Sequence, residues 1–418
     1  MHDFHFKKKE LYCESVRIAN IAHKVGTPVY VYSYKTLTDH FNKIKAAFAP
    51  VSPTICFAMK SNDNLAVVKA LLNEGAGVDI VSAGELRKAL KLGADPKKIV
   101  FASVGKTEDE IRLALKTGIL LFNVESTPEL EEINRVAKKL KMKARVALRI
   151  NPDVSAATHE AITTGTLKKK FGIDLLSAHR VFRANIKYPH IQFCGIHVHI
   201  GSQITTGKPF IKALKKVIEF IGHLRQDDIH LEYLDIGGGL GIIYKDEQPQ
   251  TAQQFSDAVL PLLRQTGLKI IMEPGRFIVG NAGIFVTRVL YLKDNGYKKF
   301  VIVDGGMNDL IRPALYHAYH EIVPVKIKTA PKIKADIVGP VCESGDFFAK
   351  DREIAQVGKN DLLAIMSAGA YGFSMSSNYN SRCRPAEVMV KGNKFYIVKG
   401  RETFEDLIRG EKIPSFLK

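Results

Sequence analysis

The sequence predicts an α/β fold: a (β/α)8 TIM-like barrel over residues 30–279, followed by an all-β domain over residues 280–418. Three observations predict it. Eight short apolar runs alternate with amphipathic helical patterns between Thr54 and Met272, as parallel strands joined by helical crossovers require. Polar and glycine residues recur at the C-terminal ends of those runs. After Arg276 the alternation stops and one strand-like run follows another. A doubly wound open sheet would satisfy the first observation. The second favours the barrel, whose strand ends converge on one mouth.

In chain order, residues 1–29 are irregular, with a candidate strand near Leu11 to Val16, and are expected to lend a strand to the C-terminal domain. Val29 to Ser33 is a further short strand. The barrel strands are then Thr54 to Met59, Gly77 to Val81, Ile99 to Ser103, Leu120 to Val124, Ala144 to Ile150, Cys194 to Ile200, Tyr233 to Ile236 and Lys269 to Met272. The helices between them are Asn64 to Asn73, Ala83 to Leu92, Glu108 to Thr117, Pro128 to Leu140, Asp174 to Ala184, Pro209 to Leu224 and Ala252 to Gln265. Ser61, Asn62 and Asp63 are candidate caps for the first helix, and Gly75 closes it. Beyond Arg276, Val286 to Leu292, Lys299 to Val303, Ile337 to Val338, Leu362 to Met366, Glu387 to Val390 and Phe395 to Val398 read as strands. The polar segment Asn151 to Lys170, past the fifth barrel strand, stands where a mobile lid would.

The composition is that of an ordinary globular protein. The first nine residues hold no apolar core of a signal peptide, and no run is long enough to span a bilayer. Five scattered cysteines form neither a disulfide framework nor a zinc spacing, so no metal is expected and a reduced, cytoplasmic setting fits. The formal charge of +18 is spread in short lysine clusters without interleaved aromatics, which argues against a nucleic-acid module. Solvated faces and attraction of anionic ligands account for it.

The chemistry gathers at the strand ends. Lys60 closes the first barrel strand, where partial desolvation would favour the amine over the ammonium and make it a nucleophile toward a carbonyl. Alone, such a lysine ordinarily snorkels to water. Gly237, Gly238 and Gly239 follow the seventh strand, where a glycine run brings backbone N–H groups close to an anion or merely makes a turn. Glu273-Pro274-Gly275-Arg276 follows the eighth; phosphate sites in such barrels form from these two loops. Glu273 is a candidate partner for a pyridine nitrogen, whose protonated ring is an electron sink. His197 and His199 alternate along the sixth strand and so face one way, and Ser202 lies just beyond. Arg276 and, in the second domain, Arg312, four residues before Tyr316, are candidate partners for substrate carboxylates. Cys342 sits beside Glu343 on a turn, as a proton donor or an inert thiol, and Tyr371 lies between small residues.

Seven motifs, in order, then resemble the diaminopimelate decarboxylases, fold-type III pyridoxal-phosphate enzymes with an alanine-racemase-like architecture. They are FAMKSN at 57–62, HVHIGSQ at 197–203, DIGGGLGI at 235–242, EPGR at 273–276, RPALY at 312–316, GPVCESGD at 339–346 and GAYG at 369–372. The resemblance implies pyridoxal 5'-phosphate as cofactor, with Lys60 as its Schiff-base lysine, His199 stacked on its ring and Glu273 at its nitrogen. Ser202, Gly237 to Gly239, Gly275, Arg276 and Tyr371 would hold the phosphate. Arg276, Arg312, Tyr316 and Tyr371 would serve the substrate, with Glu343 on its distal ammonium. Cys342 would protonate the carbon that carbon dioxide leaves. The implied reaction converts meso-2,6-diaminopimelate to L-lysine, in a homodimer whose sites take Cys342 and Glu343 from the other subunit. An ornithine or arginine decarboxylase shares the fold and lysine but lacks the RPALY pattern; a fold-type III racemase would place arginine, not Glu273, at the pyridine nitrogen.

Overall fold

The computed structural model describes residues 2–154 and 170–417. The segment expected as a lid lies, from residue 155 to residue 169, outside the described residues. The chain divides into two compact units, Thr38–Val279 and a second made of Met1–Leu37 with Gly280–Lys418.

The first unit is the closed barrel. Its strands are β1 (Thr54–Ala58), β2 (Gly77–Ile80), β3 (Ile99–Phe101), β4 (Leu121–Val124), β5 (Ala144–Asn151), β6 (Ile191–His197), β7 (Tyr233–Asp235) and β8 (Lys269–Met272). All pair in parallel, and closure comes where β8 meets β1 through Met272 and Ile55. The interior is filled, not hollow: Cys56, Val100, Leu121, Ala147, Cys194, Tyr233 and Ile271 pack together from seven of the eight strands. Burial pushes the Cys56 thiol well up, so it is an inert core group. Most strands end one to three residues earlier than the apolar runs suggest: Met59, Val81, Ala102, Val198 and Ile236 continue the runs but lie outside the strands. β6 is displaced most: it begins at Ile191 and stops at His197, so the alternation argument does not extend to His199. Met59–Ser61 forms one 3-10 turn, and the helix after it, Leu65–Asn73, is capped by Asn64, whose side chain accepts from the Ala66 N–H, not by Ser61, Asn62 or Asp63.

The second unit is strand-rich. Val29–Ser33, expected as the start of the barrel domain, instead lies inside this sheet, antiparallel to Gly283–Asp294 and parallel to Ala386–Lys391. Phe4–Lys7, Glu10–Cys13 and Val16–Arg17 form a small separate sheet. Phe4, Leu11, Val16, Ile21, Val29, Val31, Ile284, Val286, Ala364 and Val388 share one apolar core, so both ends of the chain build this unit. Two further strands, Ile322–Pro324 and Phe347–Ala355, belong to it. Among the described residues no helix is long and apolar enough to cross a membrane.

Candidate active site

The C-terminal ends of the barrel strands place a set of buried polar groups in one mouth. Lys60 stands two residues past β1, its Nζ 2.6 Å from Asp79 Oδ2 near the end of β2. Its side chain is 37 % exposed, whereas that of Asp79 is fully buried. The lysine is thus ion-paired at the mouth. Burial, and then the negative charge of Glu273, push the Asp79 carboxyl up to about 7 against the pull of Lys60. Glu85, half-buried and accepting from the Val81 N–H, is likewise raised by its partial burial, to about 7.

Glu273 follows β8 and is held by its neighbours. Asn123 on β4 donates from one amide nitrogen to Glu273 Oε1 at 2.8 Å and to Asp235 Oδ2 at 3.1 Å. Asp235, the last residue of β7, also accepts from the Gly237 N–H at 2.9 Å. His197 Nε2 lies 3.3 Å from Glu273 Oε2, at ion-pair distance but without hydrogen-bond geometry. Two buried carboxyls this close do not both ionise freely. Burial and Glu273 push Asp235 well above the usual carboxylate range. Burial opposes ionisation of Glu273 too, but His197 and Lys60 outweigh it and hold this carboxyl well below that range. The pair thus resolves into a protonated Asp235 and an anionic Glu273.

Lys106 supports Asn123 from below. Its buried ammonium donates to the carbonyl oxygens of Ser103 and Asn123 and pairs with Glu129 at 2.6 Å. Arg149 pairs with Glu125 at 2.6 Å, and Glu125 also accepts from the Gly172 N–H. His199 accepts at Nδ1 from the Gly238 N–H, which puts its proton on Nε2; burial, then Arg149 and Lys60, hold the ring neutral. Gly237 and Gly239 have φ of +65° and +113°. A Cβ on Gly237 would come 2.7 Å from the Val198 carbonyl, so the turn requires glycine there. Arg276 Nη2 and Nε donate to Ser202 Oγ at 3.1 and 3.4 Å, and its Nη1 donates to the Tyr244 hydroxyl at 2.6 Å. A Cβ on Gly275 would meet Ser61 Oγ at 3.0 Å.

The mouth thus brings together Lys60, His199, Ser202, Gly237, Gly238, Gly239, Glu273, Gly275 and Arg276. Arg312, Tyr316, Cys342, Glu343 and Tyr371 belong to the second unit. Arg312 is buried and opens the short helix Arg312–Tyr316. Cys342 and Glu343 are exposed, on a turn that Asp346 organises by accepting from the N–H groups of Met307 and Val341, both at 2.6 Å. The Cys342 N–H donates to Asn380 Oδ1 at 2.9 Å. Tyr371 has φ of +55°, an uncommon conformation for a tyrosine. Asp79, Asn123 and Glu125 are among the polar residues at the ends of the apolar runs, so their position is legible in the sequence although their roles are not. Lys106 and the partnership of Asp235 with Glu273 gave no sequence signal, since each depends on which strands become neighbours.

The donor set fits pyridoxal phosphate. It offers a primary amine, an anionic buried carboxylate for a pyridinium N–H, a neutral imidazole, and a glycine turn beside a hydroxyl and a guanidinium for a phosphate. The buried ring nitrogens of His197 make no hydrogen bond among the described residues and stand beside that carboxylate. Comparison with known proteins agrees. Residues 34–280 match the family described as pyridoxal-dependent decarboxylase, pyridoxal binding domain. A diaminopimelate decarboxylase of Aquifex aeolicus is 48 % identical over 404 residues, covering 96 % of each chain. The crystal structure of diaminopimelate decarboxylase from M. jannaschii in complex with L-lysine superposes with a TM-score of 0.95 at 38 % identity, covering 100 % of both chains. The Helicobacter pylori enzyme, also with L-lysine, gives 0.90 at 41 % identity, covering 94 % of this chain and 98 % of that one.

Proposed function

The chain belongs to the diaminopimelate decarboxylases of the pyridoxal-dependent decarboxylase family, and from that premise we propose how its residues divide the reaction. The reaction is the decarboxylation of meso-2,6-diaminopimelate to L-lysine and carbon dioxide. Bound pyridoxal phosphate supplies the sink for the electron pair that carbon dioxide leaves behind. The observation that carries the reading is the anionic Glu273, fixed by Asn123 and flanked by His197, in the mouth that also holds Lys60. A carboxylate there keeps a pyridine nitrogen protonated; a racemase would want a weaker sink.

Lys60 provides the amine that captures the cofactor, and Asp79, with a carboxyl near 7, accepts the proton Lys60 must lose. His199, a neutral imidazole, would hold the cofactor ring by stacking on it. Ser202, Gly237, Gly238, Gly239, Gly275, Arg276 and Tyr371 hold the phosphate. Arg276, Arg312 and Tyr316 orient the substrate through its distal carboxylate, the geometry guanidinium groups suit, and Tyr371 also serves the substrate. Glu343 takes the distal ammonium. Cys342 delivers the proton to the carbon that has lost carbon dioxide. Cys342 and Glu343 come from the second copy in a homodimer, and the enzyme works in the cytoplasm.

The test is carbon dioxide release from meso-diaminopimelate by protein loaded with pyridoxal phosphate, with L-ornithine, L-arginine and L-lysine in parallel. Release from meso-diaminopimelate alone, with L-lysine as product, is expected. Release from ornithine or arginine would overturn the roles given to Arg312 and Glu343 while leaving Lys60 in place.

A further inference from the structure

We propose that His320 is a positioning residue for Arg312, fixing the orientation in which that guanidinium takes the distal carboxylate of the substrate; this rests on the role given to Arg312 above. The geometry leaves the imidazole one protonation state. His320 is fully buried, and its Nδ1 lies 2.8 Å from the Met366 carbonyl oxygen. A carbonyl only accepts, so Nδ1 carries the proton. Its Nε2 lies 3.3 Å from Arg312 Nε, and a guanidinium N–H only donates, so Nε2 carries the lone pair. The ring is neutral, in one tautomer, with both nitrogens used.

The imidazole is itself anchored. Met366 follows the strand Leu362–Ile365, whose Ile365 pairs with Ile322, and the Met366 N–H donates to the Glu321 carbonyl at 2.8 Å. The His320 carbonyl accepts from Arg352 Nη1 at 2.9 Å. Backbone and ring of His320 are thus tied to two strands, and the ring passes that position on to Arg312. Holding the Nε edge fixes the plane of the guanidinium. A carboxylate is gripped by two parallel N–H groups only when that plane is correct.

Product chemistry supplies the test. L-lysine retains the distal carboxylate of meso-diaminopimelate, and cadaverine is lysine without it. Both are used as inhibitors of carbon dioxide release from meso-diaminopimelate by the pyridoxal-phosphate-loaded enzyme. In His320→Asn the shorter amide keeps a donor for Met366 but falls short of Arg312. This variant is expected to raise the Ki of L-lysine and the KM of meso-diaminopimelate about tenfold, with kcat and the cadaverine Ki within about twofold. His320→Gln, whose amide oxygen reaches toward Arg312, should recover much of the loss, and it serves as the second variant should the His320→Asn protein prove unstable. Parallel rises in both Ki values would mark a merely structural histidine and overturn the proposal. A lysine preference that survives intact in both variants overturns it too. Equal Ki values for the two inhibitors on the wild-type enzyme would instead overturn the role of Arg312 itself, and the proposal with it.

Discussion

At the barrel mouth Glu273, Asp235, Asn123 and His197 are buried and hold one another; on the second unit Cys342 and Glu343 stand exposed on a turn whose backbone is pinned by Asp346 and Asn380. In the proposed reading, the contrast follows the demands of two jobs. Stabilising charge on a cofactor needs dipoles and ions fixed in advance in a water-poor place, and a folded barrel can provide that alone. Donating a proton needs a group that arrives beside one carbon atom. A thiol in open water has no such partner, and in the proposed reading a second copy provides the enclosure.

Glu273→Gln should cost most. It leaves the Asn123 contact in place but removes the charge, and kcat should fall about a thousandfold, with a shifted absorbance of the bound cofactor. A small loss would mean that the buried carboxylate is structural. Cys342→Ala should lower kcat about a hundredfold through loss of a proton donor. Because the side chain is exposed, the variant's melting temperature should match that of the wild type; a large thermal shift would mean that the turn depends on the thiol as the mouth depends on its buried groups. Coexpression of Lys60→Ala and Cys342→Ala chains sharpens the comparison further. If the turn serves the other copy, mixed dimers each carry one intact site, and about a quarter of wild-type activity should return. No recovery would place both groups in one chain's site.

The smallest effect concerns stability. Asp309 in the second unit accepts from the Gly306 N–H and the Asn308 amide, yet burial pushes its carboxyl up to about 7. The native state therefore holds this proton more tightly than the unfolded chain, whose aspartates titrate near 4. Its contribution is complete at low pH and fades as pH rises toward about 7, by at most about 1.4 kcal/mol per pH unit. Asp309→Asn should flatten the decline of melting temperature with pH across that window. An unchanged slope would assign the decline to the raised carboxyls of the mouth, Asp79, Glu85 and Asp235.

The alternation of apolar runs and helices made the barrel legible, since each parallel strand needs its own crossover. The second unit was less legible where strands lie at an edge. Phe347–Ala355 carries Lys350, Asp351, Arg352 and Glu353 in succession, so period-two burial vanishes from the sequence. Only the last two residues of Lys332–Val338 read as a strand, although Ile333, Ala335 and Ile337 alternate there with Lys332, Lys334 and Asp336 and the strand is paired on both sides. In the mouth, residues that touch a ligand announce themselves by type and strand-end position. Residues that hold those residues do not: Asn123 and Glu273 are 150 positions apart, and His320 is one of two histidines in its stretch, beside His317.

The strand Val29–Ser33 leaves the ribosome early, yet its sheet neighbours begin only at Gly283 and Ala386. At about 5–20 residues per second, translation takes on the order of ten to fifty seconds to reach the first of them. The barrel's last strand, Lys269–Met272, is made just before that point; the β-rich unit cannot assemble even then, because its central strand also waits for Ala386–Lys391. A buried apolar strand is therefore on show to the cell for most of synthesis. Chaperones that shield nascent chains should matter more to this unit than to the barrel, and clearing a stalled chain should be easiest before residue 283.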